Sequence, residues 1–470
     1  MAANELTDLT IAELASSIEG KRVSPAELTE AYLGRIEAVN PALNAYITVT
    51  ADRARDDARR AEDEIARGEY RGPLHGIPIG LKDLYATEGI RTTAGSKILA
   101  DWVPEKDSTA ARRLREAGSV LLGKLNTHEF AWGTTTNNPH YGATHNPWDL
   151  DRIPGGSSGG SGAAVVGRIA AGTLGTDTGG SIRIPAALCG CVGLKPTFGR
   201  VSKAGVIPMS WQYDHPGPIT RTVEDAAIML GAIAGYDPDD FATVPVPVPD
   251  YRAGMRDGVK GLRVGVPRSL FFALLDDEMR AAVEAALDVL RGLGAEVRDV
   301  EPGVTREEAS YAFLVCDAES QQYHAEAFAA RREDFGADLQ AILSAPMPDA
   351  KGLSRAYRVS YEIKERFRRV LEDVDVLVTP TTMRSASIIG EERVMVGDIE
   401  LATGGAFAGL TLPFNLAGLP ALALPCGFDS LGLPLSLQIA GRPFDEATVL
   451  RAGYAYEQAT EWHKRRPAAW

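Results

Sequence analysis

The stretch that most constrains this 470-residue chain covers residues 152–185, where ten glycines and four serines fall within 34 positions. Glycine serves where backbone must take positive φ or approach another group with no Cβ between them. Two clusters, 155–160 and 179–180, each set a serine beside backbone whose N–H groups can converge on one point. A hydroxyl nucleophile with preset donors for a developing oxyanion needs that arrangement. A flexible Gly/Ser linker is the plainer alternative, but linkers lack the Ala, Val, Ile and Leu interleaved here. Between the clusters, residues 161–171 suit a buried helix. Residues 172–177 suit a short strand delivering the turn Thr178-Gly179-Gly180-Ser181.

The composition of the whole chain is that of an ordinary soluble protein, 45% hydrophobic and 24% charged. A formal charge of −14 argues against an electrostatic grip on nucleic acid or on an anionic membrane. The start, MAANELTDLT, lacks a basic region followed by an apolar run, so no signal peptide is read and a cytoplasmic protein is expected. Cys189, Cys191, Cys316 and Cys426 form neither a disulfide framework nor a C-x-x-C pattern. The uncharged run 401–428 is broken by Pro413, Pro420 and Pro425, which suits buried strands and turns better than a membrane span.

Along the chain, Thr10-x-x-Glu13 and Ser24-Pro25-Ala26-Glu27 read as two capping boxes, and Asn40-Pro41 as the stop of the second helix. A charged helix is expected over 52–67. The composition then turns apolar and strand-like around PLHGIPIGLKD, with Lys82 in its interior. A lysine there either snorkels to the surface or, held in apolar surroundings, loses its charge easily and can act as a base. Helix and strand then alternate at 108–124, 262–300 and 353–378. Such alternation predicts an α/β fold with a sheet covered on both faces.

Several chemistries could use these residues. Gly155-x-Ser157-x-Gly159 matches a nucleophile elbow formally, yet the residues before it, NPWDLDRIP, cannot form the strand an elbow needs. No local signature supports a cysteine nucleophile, and the seven histidines lack metal-ligand spacing.

GGSSGGS at 155–161 followed by GTDTGGSIRIP at 175–185 resembles the signature block of the amidase signature family. The resemblance extends to PLHGIPIGLKD, GLKPTFGRVS, GPITRTVEDAA, LPFNLAGLPALALPCG and GLPLSLQIAG, dense over 71–231 and 374–442. It implies a single large α/β/α domain over 1–470 with a central mixed sheet flanked by helices. Within it, N-terminal helices would span 9–68, a signature core 71–231, a variable substrate-side region 232–373 and a returning core 374–470. It implies Ser181 as nucleophile, Ser157 as the middle serine after a cis peptide bond, Lys82 as base, and the backbone N–H groups of Thr178, Gly179, Gly180 and Ser181 as the oxyanion hole. Ser158, Asp177 and Arg183 would be supports, and no metal or other cofactor is needed.

For the substrate, Trp132, Met209, Trp211 and Tyr213 are the expected pocket residues. Their bulk leads to an apolar or aromatic amide, as for aryl acylamidases, with ester and carbamate hydrolysis in addition. The expected partners are a small-molecule amide and no nucleic acid or membrane, in a monomer or homodimer. The competing expectation is a partner-dependent glutaminase, the A subunit of glutamyl-tRNA amidotransferase. A binding protein without catalysis would be expected to lack Lys82, Ser157 or Ser181, and all three are present.

Overall fold

A computed structural model describes residues 3–468; the outermost residues of the expected 1–470 domain lie outside them. Among these residues eleven strands form one mixed sheet. In chain order they are β1 (Tyr46–Val49), β2 (Pro78–Lys82), β3 (Val120–Leu125), β4 (Gly172–Asp177), β5 (Val192–Lys195), β6 (His215–Thr220), β7 (Arg263–Pro267), β8 (Glu296–Val300), β9 (Val376–Pro380), β10 (Ala421–Phe428) and β11 (Pro434–Gly441). Across the sheet they run β1-β3-β2-β4-β6-β5-β10-β11-β9-β7-β8. The neighbours β3-β2-β4 and β9-β7-β8 are parallel, and the other pairs are antiparallel. Helices cover both faces, the α/β architecture expected from the alternation.

Burial follows position in the sheet. Every residue of β2, β4 and β6 is buried, as suits strands sandwiched between helix layers. The edge strand β8 carries Glu296, Arg298 and Asp299 and is largely exposed, which discourages pairing with another chain. On β3, Gly123 sits at φ +155, and a Cβ there would stand 2.1 Å from the carbonyl oxygen of Thr48. Only glycine lets β1 close against β3 at this irregular step in the register.

The N-terminal helices correct two local expectations. Thr10 and Glu13 form the capping box, but Ser24 Oγ, which accepts the N–H groups of Ala26 and Glu27, donates to Glu62 across the fold. The helix Pro25–Leu43 also runs through Pro41. Pro41 lies on the exposed face in the last turn, so the carbonyl it leaves unbonded, that of exposed Glu37, can meet water. Asn40 then ends the helix by accepting the N–H groups of Ala45 and Tyr46.

The uncharged run 401–428 folds into two short helices, Thr403–Ala408 and Leu412–Leu416, followed by β10. No helix among the described residues is long and apolar enough to cross a membrane.

Candidate active site

The C-terminal ends of β2 and β4 and the glycine-rich loop before the helix Gly159–Val166 meet at one buried spot. β2 ends in Lys82, whose side chain is wholly buried. Its Nζ lies 2.7 Å from Ser157 Oγ and 2.8 Å from Thr176 Oγ1. Both partners are neutral hydroxyls. Burial therefore dominates and pushes the Lys82 amine down to about 7, opposed only in part by the more distant carboxylates of Asp214 and Asp177. The peptide bond between Gly156 and Ser157 is cis. The Ser157 carbonyl accepts the His128 N–H and the Thr127 hydroxyl, which tie it to the loop after β3. Ser158 Oγ meets the N–H and the carbonyl of Thr176, and Ser161 Oγ donates to Leu174, so both lock the loop onto β4.

β4 delivers the turn 178–181. Ser181 is buried but not sealed off, at 7% exposed, and Gly179 beside it is partly exposed. Gly180 takes φ +136, and a Cβ there would lie 2.2 Å from Thr411 Oγ1 and 2.7 Å from Ile184 Cδ1, so the turn closes only with glycine. The turn is anchored on both sides. Asp177 and Arg183 form a fully buried pair with two contacts of 3.0 Å, and Arg183 also donates to Asn415, Gln438 and the carbonyl of Thr411. Burial alone would raise the Asp177 carboxyl, but the adjoining guanidinium holds it well below the usual carboxylate range. Thr411 Oγ1 donates to the Gly179 carbonyl. On the other side, Thr178 Oγ1 donates to Asp214 Oδ1 at 2.6 Å, and Asp214 Oδ2 accepts the N–H groups of Met209 and Ser210. Asp214 thus clamps the turn to the 209–213 loop.

The four expected pocket residues divide. Trp132 is 9% exposed and donates through Nε1 to Ser320 at 2.6 Å, and Ser320 in turn donates to the Met209 carbonyl. The Tyr213 hydroxyl meets Ser360 Oγ at 2.8 Å. Ser320 lies on the helix Arg306–Arg331 and Ser360 on the helix Ala350–Asp373, so these two helices hold Trp132, Met209 and Tyr213 in one wall. Trp211 is elsewhere. It is 40% exposed, stands edge-on to Tyr323, and lines a surface cavity with Lys203, Asp214, Asp240 and Phe241.

Sequence reasoning missed Thr176, Asp214, Thr411, Asn415 and Gln438. Thr176 and Asp214 stand next to or within recognised blocks, but their roles depend on side-chain direction at strand ends that no local pattern reveals. The other three reach the turn from more than 200 residues away in the chain.

Taken together, the mixed sheet and the buried Lys–Ser contact beside a glycine-rich turn place a hydroxyl–amine pair suited to serine acyl transfer on an α/β fold. The family model described as Amidase matches residues 27–450, and the chain belongs to that family, the amidase signature amidohydrolases. The A subunit of glutamyl-tRNA(Gln) amidotransferase from Geobacter metallireducens is 44% identical, over 98% of this chain and 99% of its own length. The A subunit of the enzyme of that name from Thermotoga maritima superposes with a TM-score of 0.80 at 33% identity, covering 96% of this chain and 95% of that one. A chain of a vestigial protein complex that reveals the evolutionary origins of an s-triazine catabolic enzyme gives a TM-score of 0.92 at 36% identity, over 96% of this chain and 98% of its own.

These relatives overturn the expectation of a free-standing amidase for apolar amides, and with it the partner expectation that excluded nucleic acid and further subunits. The physical reasons are visible in the site. The bulk of the Trp211-Gln212-Tyr213 segment suggests an apolar pocket wall, whereas Trp211 is 40% exposed and stands against Tyr323. Net charge, in turn, describes the whole chain. It does not bear on whether a protein works beside another that holds the nucleic acid.

Proposed function

We propose that this chain is the glutaminase component of a tRNA-dependent amidotransferase, releasing ammonia from the side-chain amide of glutamine beside a protein partner. The observation that carries this reading is the near-complete alignment, at 44% identity, with a protein named as a component of such an enzyme.

In the proposed reaction neutral Lys82 takes the proton of Ser157 while Ser157 takes that of Ser181, whose Oγ attacks the amide carbon. The carbonyl oxygen becomes an oxyanion facing the backbone N–H groups of the turn Thr178-Gly179-Gly180-Ser181; losing one such donor costs about 3 to 4 kcal/mol. The proton held by the Ser157–Lys82 pair passes to nitrogen, the C–N bond breaks and ammonia leaves. Water, deprotonated by the same relay, then hydrolyses the glutamyl ester on Ser181 and returns glutamate. Asp177, Arg183 and Asp214 support the turn and take no proton in this scheme, and Ser158 fixes the loop that carries Ser157.

Two measurements on purified protein test the reading: ammonia release from glutamine with and without the partner proteins, and the same assay with Ser181→Ala. Glutaminase activity that rises with the partners and vanishes in the variant is expected. Turnover of aryl amides with none of glutamine under either condition would overturn it.

A further inference from the structure

Away from the active site, a cavity of about 520 Å³ opens where the N-terminal helices, the turn after the helix Gly159–Val166 and the C-terminal helix come together. Its lining gathers Arg168, Arg221, Arg466 and Lys464. Arg168 differs from the others in its backbone. It follows Gly167 at the end of the helix and takes φ +60, the left-handed conformation that helix ends ordinarily give to glycine or asparagine. Keeping a Cβ there is unfavourable, and backbone strain of this kind gathers where a side chain has work to do.

The charge around Arg168 is unbalanced. Its side chain is 12% exposed, and its ion-pair contact is Asp8, 3.8 Å away and already held by Arg466 at 2.6 Å. Arg221 is buried. Its two terminal nitrogens donate to the carbonyls of Thr7 and Leu9, and its Nε has no partner among the described residues. Arg35 stands behind, donating to the Gly167 carbonyl. Burial, then the like charges of Arg221 and Arg466, push Arg168 down to about 9.

The other carboxylates nearby neutralise this group only in part. Glu13 is engaged in the capping box with Thr10, and Glu224 pairs with Arg252 and Arg256. Glu457 accepts the Val223 N–H, and burial pushes it up to about 8, so it is mostly neutral at pH 7. Asp225 accepts the Ala12 N–H and faces Arg221, and burial pushes it up to about 6. Lys464 pairs with Glu461. With Asp8, Glu13 and Asp225 set against Arg35, Arg168, Arg221 and Arg466, about one positive charge remains on a chain whose net charge is −14.

We propose that this cavity binds a phosphate dianion on Arg168, Arg221 and Arg466, either inorganic phosphate or the monoester end of a nucleotide. Planar guanidinium groups match phosphate oxygens two at a time, and phosphate near neutral pH carries charge opposite to the surplus. The site is independent of the glutaminase reading, since none of its residues touches the Ser181 turn.

The test is titration calorimetry of the full chain with inorganic phosphate, with AMP and with adenosine, at ionic strength held constant with chloride. Arg168→Gly is the decisive variant, because glycine relieves the left-handed strain and the fold should be retained or gain stability; its melting temperature is checked alongside. Arg466→Gln is the second variant, outside the strained turn. The expected result is one phosphate or AMP per chain, no binding of adenosine, and affinity about tenfold weaker or worse in each variant, with the rate at the Ser181 site unchanged. AMP binding more tightly than phosphate would assign the site to a nucleotide; equal affinity would assign it to the phosphate group alone. No saturable binding by the wild type, or equal affinity in both variants, would overturn the proposal. A wild type that binds phosphate yet lacks glutaminase activity would leave this site standing and strike only the functional reading.

Discussion

Lys82 and Lys124 sit on neighbouring parallel strands, one residue apart in register, and both are completely buried. Their surroundings differ by one carboxylate. Lys124 donates to the Tyr85 carbonyl and Thr92 Oγ1, each at 2.6 Å, and lies 3.3 Å from Asp83 Oδ1. Lys82 meets only the hydroxyls of Ser157 and Thr176. Burial lowers the affinity of both amines for a proton, and in Lys124 the adjoining carboxylate works against it. One lysine is thereby a partner in a buried ion pair that ties the strands together. The other is an amine poised to take a proton near neutral pH. The same side chain, buried in the same sheet, is held as a charged partner or left as a readily neutral amine according to whether an anion stands beside it.

Exchange of each lysine should separate the two roles. Lys82→Met should cut glutamine turnover about a thousandfold or more without lowering the melting temperature, since it removes a buried amine that pairs with no charge. Lys124→Met should instead destabilise the fold by about 3 to 5 kcal/mol in urea denaturation, because Asp83 is left buried and unpaired. Adding Asp83→Asn to that variant should recover part of the loss; no recovery would mean that the two side chains are not energetically coupled.

Asp214 probes the comparison more finely, as the stronger of the two distant carboxylate influences on Lys82. Asp214→Asn should release Thr178 and misplace the oxyanion donors, lowering kcat about tenfold to a hundredfold. It should also move the acid limb of the pH profile downward, since losing a nearby negative charge makes protonated Lys82 less favourable. A purely structural defect would lower the rate and leave the limb where it was. The smallest effect expected is that of Trp132→Phe, which removes the bond to Ser320 and should change KM by roughly fivefold with little change in kcat.

Much of this is legible in the sequence through local chemistry. Lys82 on a strand, the strand 172–177 and the serine-bearing turn all follow from composition and glycine placement. The structure places the same residues at β2, β4 and the turn closed by Gly180. Contacts between distant segments are not legible. The order of eleven strands, the support of Arg183 by Asn415 and Gln438, and the anchoring of Trp132 by Ser320 depend on pairings across hundreds of residues. Trp211 shows the same limit for a single side chain, because residue type suggests a pocket wall and only the fold shows that it faces outward. Pro41 shows it for backbone, since a helix-stopping residue is tolerated where the freed carbonyl meets water.

The most direct test of Lys82 as the base is the pH dependence of kcat/KM for glutamine with the wild-type protein and its partner proteins. Lys82 must be neutral to act, and its affinity for a proton is depressed, so activity should be full above about pH 8 and fall as pH drops through about 7, tenfold per unit below that. A profile flat from about pH 5.5 to 8.5, or one still rising through pH 10 as for an ordinary lysine, would contradict the account.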